Sequence, residues 1–421
     1  MRVLMVNAFH YLRGGVERTY LDESRWLSEA GHEVAHFAVR DPRNLPSPTA
    51  AHFAPAADFG EHSSWWRQLG QADRVFWSAP AARAMERLLD AVPFDVAHVH
   101  APSRYLTPSV LRPLERRGVP IVMTLHDFKP WCTNRVMFAR GAECERCKGG
   151  HHWHAVAVGC VQGSRAKSLV GAIEAYAHDA VHAYRAVRLW IAPSRFVADK
   201  VREHGLDPTS VRWIPHGVEL DRAGSVPGTA PEPVRVQDPV APQPYVLFAG
   251  RLSEEKGVRL VPALAMRLAP TPVVVAGEGP LRPWLQRQAD TVSNLRLHGH
   301  LQGDAFARLL SGAGVVVIPS LFYETFCYAA AEALAATRPV VASRIGAIPE
   351  LIEHERTGLL VTPNDAHALA EASRRALDDP AAPSWGEAGL ARVRDVADPR
   401  RHLDALLAVY REARDPSTAR P

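Results

Sequence analysis

The strongest constraint on the fold is a rhythm that runs twice along the chain, in which short β-rich apolar runs alternate with amphipathic helical stretches. That alternation predicts parallel sheets covered by helices on both faces. The first series opens on a buried strand from Arg2 to Phe9. A loop with Gly14 and Gly15 follows, then a helical stretch from about Val16 to Ala30, with Gly31 where a C-terminal glycine belongs. Glu33 to Val39, Phe94 to His100, Pro120 to His126 and Leu189 to Ala192 read as further strands. The second series begins at Tyr245. It has strands over Tyr245 to Ala249, Pro272 to Ala276, Leu295 to His298, Val315 to Pro319 and Pro339 to Ser343, and helices at about 257–268, 281–289, 304–312 and 325–337.

Between the two series, 221–244 carries Pro227, Pro231, Pro233, Pro239, Pro242 and Pro244, a composition that suits an extended, semi-rigid connector. At roughly 100–200 residues per domain, 421 residues accommodate two. The expected organisation is a first domain over 1–220, the connector, a second domain over 245–395, and a C-terminal helix over 396–421 that packs back toward the first domain. In open α/β sheets a ligand sits outside the C-terminal ends of the strands, so the default site is a cleft between the two domains.

Composition narrows the function. Hydrophobic residues are 47% and charged residues 22%, the profile of an ordinary globular protein. Lys+Arg minus Asp+Glu is 49 − 45 = +4, too small an excess for a dedicated nucleic-acid binder. Lys stands only at 129, 148, 167, 200 and 256, so a Lys inside a motif carries weight. No apolar run reaches the ~18–20 residues that span a bilayer. The N-terminus reads as a strand and not as an export signal, which makes the reducing cytoplasm the expected compartment.

Four features of the second series fall at strand-to-helix turns. Gly250, Arg251 and Lys256 lie in GRLSEEKG, where a guanidinium and an ammonium converging on a helix start would form a phosphate site; two solvated surface cations are the alternative. Gly277 and Gly279 in GEGP let a backbone approach a ligand, or simply make a tight turn. Glu324 lies at the mouth of a helix expected to start at Thr325, and Glu332 lies two turns on, about 12 Å by helix rise. Carboxylates at that separation suit two sugar rings flanking a diphosphate, which the helix N-terminus would attract. A cap-region Glu and an exposed helical Glu fit the spacing as well. GAIPE, from Gly346 to Glu350, reads as a loop wall of the same site, and Phe322 or Tyr323 as a stacking ring for a nucleobase or a core aromatic.

Taken in order, GGVE, GHEV, TLHDFK, APSRF, IPHGVE, AGRLSEEKG, AGEGP, the Glu324–Glu332 pair, GAIPE and TGLLV resemble glycosyltransferase family 4, retaining nucleotide-sugar enzymes of the GT-B fold. The resemblance covers most of the chain. It implies two Rossmann-like doubly wound α/β domains facing each other across a cleft. It also implies a sugar transferred from a UDP-, GDP- or other nucleoside-diphosphate sugar to the hydroxyl of a glycan, lipid-linked or small-molecule acceptor. Arg251 and Lys256 would then grip the donor diphosphate, Glu332 the ribose hydroxyls and Glu324 the transferred sugar, with Gly250, Gly277, Gly279, Thr325 and Phe326 lining the donor. The backbone at Gly14 and Gly15 would approach the β-phosphate, and His126 would contact the transferred sugar. No Asp-x-Asp stands in the chain to hold a divalent ion, so the two cations are expected to carry the leaving-group charge without a catalytic metal. The competing readings are a nucleotide-sugar epimerase or a phosphorylase on the same fold, and a catalytically silent sugar-nucleotide-binding scaffold.

Two features lie outside that set. Cys132, Cys144, Cys147 and Cys160, in an insert at about 130–162, have a pattern that suits structural zinc, with His151, His152 and His154 as nearby alternative ligands and redox chemistry or plain buried thiols as alternative readings. A similar Cys-bearing insert is implied for a subgroup of the family. Trp65, Trp66 and Trp77 beside Arg67, Arg74 and Arg83 suit peripheral contact with an anionic membrane surface, or equally core packing.

Overall fold

The computed structural model describes residues 1–56, 76–102, 105–219 and 244–415. Trp65, Trp66, Arg67, Arg74 and almost all of the proline-rich connector lie outside the described residues. The chain divides into two compact units, one of Met1–Val136, Glu145–Ile214 and Arg400–Pro421, the other of Met137–Cys144 and Pro215–Pro399.

The first unit is built on a parallel sheet of β1 (Arg2–Asn7), β2 (Glu33–Phe37), β3 (Val96–Ala101), β4 (Ile121–Thr124), β7 (Val187–Ala192) and β8 (Val211–Trp213), in the order β2-β1-β3-β4-β7-β8. β5 (Phe138–Ala139) and β6 (Ala142–Glu143) form a separate small hairpin. Val3, Met5, Val96, Val122, Leu189 and Ile191 are buried, as strands covered on both faces require. The helix Pro399–Arg414 adds Leu406, Leu407, Val409, Tyr410 and Ala413 to this core.

The second unit has six parallel strands: β9 (Val246–Ala249), β10 (Val273–Ala276), β11 (Leu295–Leu297), β12 (Val315–Ile318), β13 (Val340–Ser343) and β14 (Gly358–Val361). Their order is β11-β10-β9-β12-β13-β14, so the chain reverses its direction of travel between β9 and β12. That reversal is the topological switch point, where the loops after the two central strands diverge and leave room for a ligand. β8 and β14 were not among the expected strands. Both are short, and each lies at the end of its sheet.

One helix begins later than the sequence suggests. The start expected at Thr325 falls at Tyr328, behind Cys327 in a left-handed conformation (φ 73°, ψ 72°). The residues before it are held away from helical geometry by the loop after β13, where the Ala347 N–H bonds the Glu324 carbonyl at 2.9 Å.

Candidate functional site

The loops after β9, β10, β12 and β13 are joined into one structure. The Leu252 N–H bonds the Glu278 carbonyl at 2.9 Å, and the Leu321 N–H bonds the Glu255 carbonyl at 2.8 Å. Two glycines allow the approach. Gly277 (φ 148°) lies so close to the first loop that a Cβ would meet the Gly250 carbonyl oxygen at 1.9 Å. Gly346 (φ 57°) lies against the backbone of Glu324, whose nitrogen and oxygen would be 2.6 and 2.7 Å from an added Cβ. Any side chain at either position would push these loops apart.

At their centre the Lys256 ammonium donates to Glu324 Oε1 at 2.7 Å, and the Ser320 hydroxyl donates to the same oxygen at 2.7 Å. Glu324 is 5% exposed. Burial works to lower the Lys256 pKa, but the Glu324 carboxylate overcomes it and the net shift is upward, so Lys256 is a cation at neutral pH. Its Nζ also lies 4.8 Å from the centre of the Phe322 ring. Burial pushes the Cys327 thiol up, with Glu324 adding to the shift and Glu332 contributing the same way.

Arg251 differs from Lys256. It is exposed, and no hydrogen bond or ion pair holds its guanidinium among the described residues. Gly250, just before it, has open space where a Cβ would be. A cation held by a buried carboxylate and an open cation therefore flank the switch point. Glu332 and Thr325 are half-buried. Phe326 is buried, edge-on to His216 at 5.2 Å and to Tyr328 at 5.2 Å, so its ring belongs to the core and only its backbone is left to meet a ligand.

In the first unit, Gly14 and Gly15 lie at the start of the helix Gly15–Glu29, in the loop after β1. His126 follows β4, and its Nε2 is 3.0 Å from His100 Nδ1. Burial pulls the His126 pKa down to about 4, against the upward pull of Glu23 and with the help of His98. Asp127 accepts the Lys129 N–H at 2.9 Å and so shapes the turn beside it.

Behind His126 lies a buried cluster that sequence reasoning missed. Glu23, 1% exposed, has Oε2 3.3 Å from His98 Nδ1 and 3.4 Å from His100 Nε2, while Oε1 is 3.0 Å from His402 Nε2. Burial raises the Glu23 pKa, but His98 and His100 more than offset it, holding the carboxyl well below the usual range. The readable signal was VAHVHA, in which His98 and His100 share one face of an otherwise apolar strand.

The cysteines do not form the expected ligand set. Among the described residues, no three of Cys132, Cys144, Cys147 and Cys160 gather their sulfurs within 4.8 Å of one another; Glu23, His98 and His100 are the group that does. The Cys132 thiol instead donates to Asn134 Oδ1 at 2.9 Å. As placed, the four thiols do not fit one tetrahedral ion. All five cysteines are free of disulfides.

Two doubly wound units, the second with cations and a buried carboxylate at its switch point, define the GT-B class of glycosyltransferases. The family models agree. A glycosyltransferase family 4 model matches residues 13–222, and a glycosyl transferases group 1 model matches residues 243–379. The chain belongs to the glycosyltransferases, with the family 4 domain in its first half and the group 1 domain in its second.

It is similar to a glycogen synthase of Mycobacterium tuberculosis, 40% identical over 32% of this chain and 34% of the relative. It is also similar to an alpha-maltose-1-phosphate synthase of Mycolicibacterium smegmatis, 29% identical over 70% of this chain and 73% of the relative. The match to the glycogen synthase spans about a third of that relative's length. Among solved structures, Anabaena HepE in complex with UDP shares the fold, with a TM-score of 0.67 at 15% identity, covering 98% of this chain and 100% of that one. Among the described residues, no helix is long and apolar enough to cross a membrane.

Proposed function

We propose that this protein transfers a sugar from a nucleoside-diphosphate sugar to an acceptor hydroxyl, with retention at the anomeric carbon and no catalytic metal. The observation that carries the reading is the Lys256–Glu324 pair at the switch point, with the open guanidinium of Arg251 on the same loop as Lys256. A departing nucleoside diphosphate accumulates negative charge, and fixed cations aimed at that charge lower the barrier. Lys256 is held in place by Glu324 before any donor arrives, so little reorganisation is needed as the charge develops. Arg251 closes on the diphosphate when it binds. Glu332 takes the ribose hydroxyls and Glu324 those of the transferred sugar, each through acceptor oxygens.

In the reaction, the bond from the anomeric carbon to the phosphate oxygen breaks while the acceptor oxygen bonds that carbon from the same face. The acceptor's proton passes to the departing phosphate oxygen. His126, with its pKa near 4, is a neutral hydrogen-bonding group at neutral pH and contributes no charge. The HepE complex with UDP supports a uridine nucleotide as the first donor to try.

A thermal-shift screen against a panel of UDP-, GDP- and other nucleotide sugars tests the reading, because a ligand that binds only the folded state raises its melting point by mass action. A hit should be followed by turnover in the presence of chelator, and by the axial or equatorial coupling of the product's anomeric proton. Failure of every nucleotide sugar to stabilise the protein overturns the reading; inversion, or loss of turnover with chelator, overturns those parts of it.

A further inference from the structure

The buried cluster behind His126 has a geometry that hydrogen bonding does not account for. Glu23 lies in the helix Gly15–Glu29, and His98 and His100 share one face of β3. The atoms Glu23 Oε2, His98 Nδ1 and His100 Nε2 all lie within 4.8 Å of one another. None of the three residues is more than 2% exposed.

Glu23 Oε2 is 3.3 Å from His98 Nδ1 and 3.4 Å from His100 Nε2. A charge-assisted bond from N–H to a carboxylate closes to about 2.7–2.9 Å. Oε2 is buried, yet it has no hydrogen-bond partner among the described residues. A buried acceptor left in that position costs its full desolvation penalty. A proton shared between these groups is thus a poor occupant. A tetrahedral zinc ion holds nitrogen and oxygen donors at about 2.0–2.1 Å, which sets neighbouring donors about 3.3–3.4 Å apart. The two separations from Oε2 fit that edge.

The far atom of each residue is anchored, as the atoms behind metal ligands are. His98 Nε2 is 2.7 Å from Thr124 Oγ1, His100 Nδ1 is 3.0 Å from His126 Nε2, and Glu23 Oε1 is 3.0 Å from His402 Nε2. These contacts let both imidazoles carry the proton on the far nitrogen and turn the bare one inward. The Tyr410 hydroxyl, 2.8 Å from His98 Nδ1, offers an oxygen for a fourth position.

We propose that Glu23 Oε2, His98 Nδ1 and His100 Nε2 form a structural site for a divalent transition metal. Two imidazoles and a carboxylate suit zinc, and the carboxylate offsets part of the ion's charge in a buried place. The ion ties the helix Gly15–Glu29 to β3. With His100 Nε2 on the metal, His100 Nδ1 donates to His126 Nε2, and the proton of His126 stands on Nδ1. The ion touches no reacting group, so the proposal does not rest on the transfer reading and is compatible with transfer that uses no catalytic metal. Its donors are out of reach of solvent, so a chelator acts only when the unit opens and not within a kinetic run.

The test uses the full chain, unfolded and refolded with zinc or with chelator, dialysed, and measured for metal by mass spectrometry. The insert cysteines are competing ligands, so Cys144→Ser with Cys147→Ser is measured beside the wild type. The cysteine variant should keep a single zinc ion per chain, and Glu23→Gln in that background should lose it. Thr124→Val should weaken zinc affinity by about 10–100-fold, since it removes the partner that orients His98. If Glu23→Gln does not fold, X-ray absorption of the zinc-loaded cysteine variant decides. The expected shell is nitrogen and oxygen at about 2.0–2.1 Å, with no sulfur at about 2.3 Å. A cysteine variant that refolds without zinc, zinc retained by Glu23→Gln, or a sulfur shell overturns the proposal.

Discussion

The two units each bury a carboxylate among positive or protonatable groups, but they do so in different places. In the second unit Glu324 meets Lys256 and Ser320 in loops that follow the two central strands of the sheet, and Arg251 stays open beside them. In the first, Glu23 lies mid-helix against two imidazoles of a strand interior and one of the C-terminal helix. Loops at strand ends can rearrange around a ligand, whereas a helix packed on a sheet cannot without losing the core. The second arrangement is thus fitted to binding and the first to holding the unit together.

If that contrast is right, Lys256→Ala should have the largest effect on turnover, a loss of order 10³, because it removes a fixed cation and leaves Glu324 buried without its partner. Arg251→Ala should cost a factor of order 10² with the melting point unchanged, since its guanidinium is exposed. Equal effects of the two on turnover and melting would erase the distinction between fixed and open cation; single-turnover kinetics and calorimetric melts measure both.

Glu23→Ala should behave in the opposite way. Removing the carboxylate takes the buried hydrogen-bond partner from His402 and the facing negative charge from His98 and His100, at a cost of about 3 kcal/mol, read as a drop in the urea midpoint, while the affinity of the folded protein for the nucleotide stays put. A change in nucleotide affinity at constant stability would move Glu23 out of the structural role.

The pH dependence sharpens the same contrast. Burial lowers His10 and His126 to about 4 and His36 to about 3. The unfolded chain takes up protons below its ordinary histidine value of 6.5 while the folded one does not. Stability is therefore fully present above 6.5 and is lost as pH falls toward 4. Glu23, depressed in the fold, adds to the loss at still lower pH. Urea midpoints at pH 7 and pH 5 should show the decline, and replacing His10 by Phe should flatten it. The smallest effect expected is Glu332→Ala, about tenfold in nucleotide affinity by titration calorimetry, with no change in melting.

The difference between the units also explains what could be read in advance. Gly250, Arg251, Lys256, Gly277, Glu324 and Gly346 stand at breaks between apolar runs, where a polar or glycine residue signals a turn and a possible site. The structure joins these loops through backbone hydrogen bonds and close glycine approaches. Glu23 and His402 stand within amphipathic helices, where a polar residue ordinarily faces water. Only the docking of the helix Pro399–Arg414 on the first sheet, some 380 positions from Glu23 in the chain, buries them together. The Cys-x2-Cys spacing misled for a related reason. Spacing constrains the two nearest thiols, whereas the positions of Cys132 and Cys160 depend on how the insert folds.

From its order of residues alone this chain determines two parallel-sheet units and the loops that carry its cations and acids. Strand alternation and turn residues act over a few positions, and so they can be read locally. Tertiary structure decided which groups lose contact with water. It set Lys256 as a held cation and Arg251 as an open one, and gathered a carboxylate and histidines from distant segments. Burial depends on neighbours brought together by the whole fold, and so do the charge states that follow from it.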